Sequence, residues 1–158
     1  MQGRCSRHIA LLAFMLGLIF TNHAHAQNAE PPERYLQYGN SCESNIIRLQ
    51  NIDNTAGENG LVIAIARLGN GERSSSLNHR RLHNVRLYLQ KIRNRPSETL
   101  IMAKGEQIQG QGRVEIYIGG KLVDVFMLGR GEDLYAGSCD GTGEFDHLYY
   151  DSRRRRSR

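Results

Sequence analysis

The sequence predicts an α/β protein, a two-layer sandwich with helices on one face of a mixed sheet and a C-terminal hairpin. Three stretches carry that reading. Leu82, Val85, Leu89 and Ile92 recur at i, i+3, i+7 and i+10, the spacing of an apolar helix stripe. Leu61 to Ala66 is an unbroken apolar run of strand length between glycine-containing turns. Arg113 to Ile118 alternates polar with apolar residues and runs into Gly119-Gly120, a two-residue turn leading to Lys121 to Leu128.

Taken in order, residues 1–26 have the three parts of a secretory signal peptide: Arg4 and Arg7, an apolar run from Ile9 to Phe20, and Ala24-His25-Ala26 as the cleavage pattern. The run is about a dozen residues where a spanning helix needs roughly 20, which predicts export and no transmembrane segment in the mature chain. The mature protein is expected to begin at Gln27. Residues 27–40, with Pro31-Pro32 and few aliphatics, form a lead-in segment with a short strand expected near Tyr35 to Tyr38.

The domain proper is expected over residues 41–145. Ser41 or Asn40 caps a first helix whose apolar positions Ile46, Leu49 and Ile52 have helical spacing and which ends in Asn54 to Gly60. Leu61 to Ala66 follows as a strand buried on both faces. After the loop Gly69 to Arg73, one of Ser74 to Ser76 caps the second helix, which ends before Pro96. Thr99 to Ala103 is a short strand before the hairpin. Gly129 to Gly143 is rich in glycine and acids, with Cys139 as its expected anchor, and residues 146–158 form a basic, disordered tail.

Charge has to be read by region. Of 21 Lys and Arg residues, seven lie at the ends (Arg4, Arg7, Arg153 to Arg156 and Arg158), which leaves 14 against 16 acidic residues in the body. The second helix nevertheless carries Arg80, Arg81, Arg86, Lys91 and Arg93 with no acid between Arg73 and Ser97, a basic face suited to an acidic partner or anionic envelope polymer. Nucleic acid is not expected as a partner, because the chain is exported and no aromatics interleave with the arginine run. Cleavage leaves Cys42 and Cys139, an even pair in an oxidising compartment, which predicts a disulfide; two free buried thiols are the alternative.

Leu77-Asn78-His79-Arg80-Arg81-Leu82-His83-Asn84-Val85-Arg86-Leu87-Tyr88-Leu89 resembles the helix pattern L-S-x-x-R-A-x-x-V-x-x-Y-L of the OmpA-like domain. Arg113-Val114-Glu115-Ile116 resembles that family's R-V-E-I strand, and the matching stretch runs from about Leu61 to Ile118. The resemblance implies an OmpA-like fold in the periplasm or cell envelope of a bacterium, and binding to peptidoglycan. It implies that Arg81 grips the diaminopimelate of the stem peptide, a guanidinium taking a carboxylate bidentately. The family's second ligand residue, an aspartate in H-T-D-x-x-G, has no counterpart, because Arg67-Leu68-Gly69-Asn70-Gly71-Glu72 stands there. Asn70 or Glu72 is left to hold the amine. The alternative for Arg81 is a solvated helix-face charge or a structural salt bridge to Glu72 or Asp53.

Other patterns are weaker. His79 and His83 have the i, i+4 spacing of paired metal ligands but no third ligand near them, with Arg80 and Arg81 between. Asp140 to Asp146 has alternating acids without the spacing of a calcium loop and reads as a glycine-rich turn. There is no G-x-S-x-G, and Gly110-Gln111-Gly112 leads into a strand instead of opening a helix, so neither an enzyme nor a cofactor is expected. The expected function is an exported, non-catalytic envelope module associated with peptidoglycan or another anionic envelope component. The alternative is a protein–protein adaptor that keeps the fold without the peptidoglycan site.

Overall fold

The computed structural model describes residues 39–151; the predicted export signal, residues 27–38 of the lead-in and the arginine run lie outside the described residues. Helix α1 (Cys42–Ala56) starts at Ser41, whose hydroxyl accepts a hydrogen bond from the Ser44 amide at 3.2 Å and satisfies one of the amides a helix start leaves unpaired. There follow β1 (Val62–Arg67), α2 (Ser75–Leu87), β2 (Leu100–Lys104), β3 (Gly112–Ile118) and β4 (Lys121–Leu128). The sheet order is β2-β1-β3-β4, with β1 and β2 parallel across α2 and the other two pairs antiparallel. Gly119 and Gly120 take φ of 57° and 76°, the left-handed conformation that a tight hairpin turn needs and that side chains resist.

One face of the sheet, with Val62, Ala64 and Ala66 of β1, Leu100 of β2, Val114 and Ile116 of β3, and Phe126 and Leu128 of β4, forms the core with Leu49, Ile52, Leu82, Val85 and Leu89 from the helical layer. Arg48 of α1 reaches β4, where its guanidinium lies 4.0 Å from the Phe126 ring centroid and pairs with Asp124. The result is a two-layer mixed α/β fold with a four-stranded mixed sheet. Among the described residues no helix is long and apolar enough to cross a membrane.

Three expectations change. In β1 only Val62, Ala64 and Ala66 are fully buried, while Ile63 and Ile65 are half-buried, because both helices lie on one face. The second helix does not run regularly to Pro96: a π-helical turn, Tyr88–Ile92, follows α2, and the extra residue in that turn carries Ile92 off the apolar stripe to 44% exposure. The segment after β4 is not held by Cys139 alone. Leu134, Tyr135, Ala136 and Tyr149 join the core, so the body extends past Phe145. Asn84, fully buried, donates to the Tyr150 carbonyl at 2.6 Å and accepts from its amide at 2.9 Å, pairing as a strand neighbour would. Cys42 and Cys139 lie at disulfide distance, with Cα atoms 5.5 Å apart.

Candidate functional site

The residues expected to bind a ligand sit where the loop after β1, the first turns of α2 and the turn after β4 converge. The loop is short, so Glu72 lies only nine residues before Arg81, and the two side chains meet in the protein interior with 2% and 0% exposure. The Arg81 Nη2 donates to Glu72 Oε1 at 2.8 Å and Nη1 to Oε2 at 3.0 Å, the bidentate arrangement a guanidinium favours. Arg81 Nε donates to the Glu132 carbonyl at 2.9 Å. Glu72 also accepts from the Gly69 and Gly131 amides, each at 2.9 Å. Burial raises the carboxyl of Glu72, but the Arg81 guanidinium and the two amides outweigh it and hold the group below its ordinary range.

Gly112 is part of this construction. A Cβ there would meet Glu72 Oε2 and both Arg81 Nη atoms, so the start of β3 has to be glycine for the pair to close. Asn70 is exposed on the loop, its amide donating to the Gly110 carbonyl at 2.7 Å. The structure thus brings Arg81 and Glu72 together and leaves Asn70 outside. The carboxylate that meets Arg81 is the protein's own, in the place where the resemblance implies that of a stem peptide.

The basic face of the second helix is also largely spent. Arg80 pairs with Asp133 at 2.8 Å and Arg93 with Asp53 at 2.9 Å, while Arg81 is internal; Arg86 and Lys91 remain exposed. His79 is exposed, whereas His83 Nε2 lies 3.1 Å from the Leu148 carbonyl and its ring packs edge-on to Tyr150. Among the described residues no group of three His, Cys, Asp or Glu side chains is placed to hold a metal. Asp146 accepts hydrogen bonds from the Ser138 amide and hydroxyl, closing the glycine-rich turn on itself.

Two further clusters escape sequence reading. On the sheet face opposite the helices, Glu115 accepts from Arg67 at 3.0 Å, Arg113 at 2.7 Å and the Tyr117 hydroxyl at 3.0 Å. Burial raises this carboxyl too, and the two arginines bring it below the ordinary range. Its signal in the sequence is Arg113-x-Glu115, neighbours on one strand face. The second cluster, Asp53 with Arg93 and Arg95, joins residues about 40 positions apart and announces itself only as R-x-R before Pro96. The structure defines a two-layer α/β domain in which each of these buried or half-buried arginines is paired with a carboxylate of the same chain, Glu115 and Asp53 each serving two. Comparison with protein families, with curated proteins and with solved structures finds no match.

Proposed function

We propose that the protein is a non-catalytic binding module of the bacterial cell envelope, working as a protein–protein adaptor instead of a peptidoglycan receptor. The closed Arg81–Glu72 pair carries this reading. A guanidinium with 0% exposure, already bidentate to a carboxylate and bonded to a carbonyl, offers a stem peptide nothing without breaking a buried ion pair. On this reading the OmpA-like features of Leu77 to Leu89 and Arg113 to Ile116 mark a shared scaffold whose ligand site has been converted into a structural joint. Leu61 and Ile101, exposed by 41% and 45% where the β1–β2 pair begins, supply apolar surface of the kind protein partners cover. Co-sedimentation with purified diaminopimelate-type sacculi, with lysine-type wall as control, tests the reading. The expected result is no salt-resistant retention on either wall. Retention on the diaminopimelate wall alone, lost on Arg81→Lys in a chain that keeps its far-UV spectrum, overturns it.

A further inference from the structure

The C-terminal end of α1 and the segment after the π-helical turn enclose a cleft of about 610 Å³, within the range of small-ligand sites, lined by Asp53, Asn54, Glu58, Asn59, Arg93 and Asn94 among others. One wall is Arg95, whose side chain is 2% exposed. Its Nε donates to Asp53 Oδ1 at 2.7 Å, Nη1 to the Gly60 carbonyl at 2.8 Å, and Nη2 to the Gly57 and Asp53 carbonyls at 2.7 and 3.1 Å. Arg95 therefore satisfies carbonyls at and just beyond the end of α1, which has no basic residue in its own last turn. That task is complete without Arg93.

Arg93 is nevertheless brought to the same carboxylate. In a continuous α-helix residues two apart point about 200° away from each other, so two arginines at that spacing do not meet one aspartate. Here the π-helical turn and Asn94, the one described non-glycine residue with positive φ (55°), rotate both toward Asp53. Arg93 Nε donates to Asp53 Oδ2 at 2.9 Å and Nη2 to Asn54 Oδ1 at 3.0 Å. The side chain is thereby fixed but keeps 30% exposure, and no hydrogen bond to its Nη1 is made within the described residues. One carboxylate serves two guanidiniums, so the trio has one positive charge in excess. Glu58 brings the lining as a whole to two acids and two arginines, but it is exposed and forms no ion pair with either arginine.

From a pre-positioned, partly exposed guanidinium edge flanked by three asparagine amides, we infer that this cleft binds a carboxylate, and that the carboxylate is the C-terminus of a peptide. The guanidinium supplies charge-assisted donors to the carboxylate, and Asn54, Asn59 and Asn94 supply both donors and acceptors to peptide N–H and C=O groups. The site is separate from the Arg81–Glu72 joint and stands whether or not the domain is an adaptor.

The test is a titration of the isotopically labelled full chain with trialanine and with its C-terminal amide, followed by backbone amide shifts. The free acid is expected to shift Asn54, Gly57, Asn59 and Asn94 in a saturable way, and the amide to bind about ten- to a hundredfold more weakly. Arg93→Gln should show the same loss with the free acid, and Asn59→Asp, an exposed change that leaves the arginine cluster intact, should weaken the acid and not the amide. No shift with the free acid, equal shifts with acid and amide, or unaltered binding in Arg93→Gln overturns the inference.

Discussion

Replacing Arg81 by alanine is the most direct probe of the joint between the β1 loop, α2 and the turn after β4. The substitution removes both donors to Glu72 and the donor to the Glu132 carbonyl, and leaves a carboxylate with 2% exposure facing only the Gly69 and Gly131 amides. Stripping one partner from a buried pair costs about 3–5 kcal/mol, against a total stability of roughly 5–15 kcal/mol for a domain of this kind. Urea unfolding at pH 7, followed by far-UV circular dichroism, should therefore show a large fall in midpoint for Arg81→Ala. Arg86→Ala, on the exposed side of the same helix, should change stability by no more than about 0.5 kcal/mol. The pH dependence has a definite sign. Because Glu72 titrates below its ordinary value of 4.5 in the folded state, its contribution is fully present above that pH and is lost as pH falls through the depressed folded value. The gap between the unaltered chain and Arg81→Ala should accordingly be full at neutral pH and shrink on acidification. A loss below about 1 kcal/mol at pH 7, or a gap that widens in acid, refutes the argument that the pair is a closed internal joint.

Gly112→Ala should destabilise by about 1–3 kcal/mol in the same assay, since the added methyl is driven into the Arg81–Glu72 pair; an unchanged midpoint would show that the pair yields to it. Replacing Cys42 and Cys139 by serine should lower stability by roughly 4–5 kcal/mol, the chain-entropy value for a bridge across a sequence separation of 97, and a non-reducing peptide map of the unaltered chain should recover the two cysteines as one linked pair. Asp53→Ala should cost about 3–5 kcal/mol by stranding the buried Arg95, whereas Arg93→Gln should cost under about 1 kcal/mol; equal effects on the thermal midpoint would mean that Arg93 is as structural as Arg95.

The parts of the fold that sequence makes legible are those set by local period and turn chemistry. The β3–β4 hairpin shows period two up to Gly119-Gly120, and α1 is announced by Ser41 ahead of Ile46, Leu49 and Ile52. Ile92 shows the limit of the same method. It continues the stripe of Leu82, Val85 and Leu89 on paper, but a stripe does not reveal that one turn contains an additional residue. The basic face of the second helix misleads for a related reason. The acids that pair with Arg80 and Arg93 are 53 and 40 positions away, so only the tertiary fold brings them together. Glu72 was visible as a neighbour of Arg81, whereas its enclosure depends on Glu132, Gly131 and Gly112, which no local pattern connects to it. In the segment after β4, Leu134, Tyr135 and Ala136 are core residues set among glycines and acids, without the periodicity that marks a helix or strand.

That last segment also sets the order in which the chain can be completed. Tyr135 and Tyr149 pack edge to face with ring centroids 5.5 Å apart, and Leu134 has no exposed surface, so the core remains unfinished until the final part of the body has emerged. Asn84 of α2 finds the partners for both ends of its amide in Tyr150, and Asn45 of α1, which also donates to Asn40, finds its second acceptor in the Tyr135 carbonyl, so a chain that stops before Tyr135 leaves both buried amides short of partners. A growing polypeptide of this sequence therefore cannot complete the native core before Tyr149 is present. It reaches its stable form only when first helix and last residues are present together, and a fragment cut short by a few dozen residues at this end is a chain with an open core.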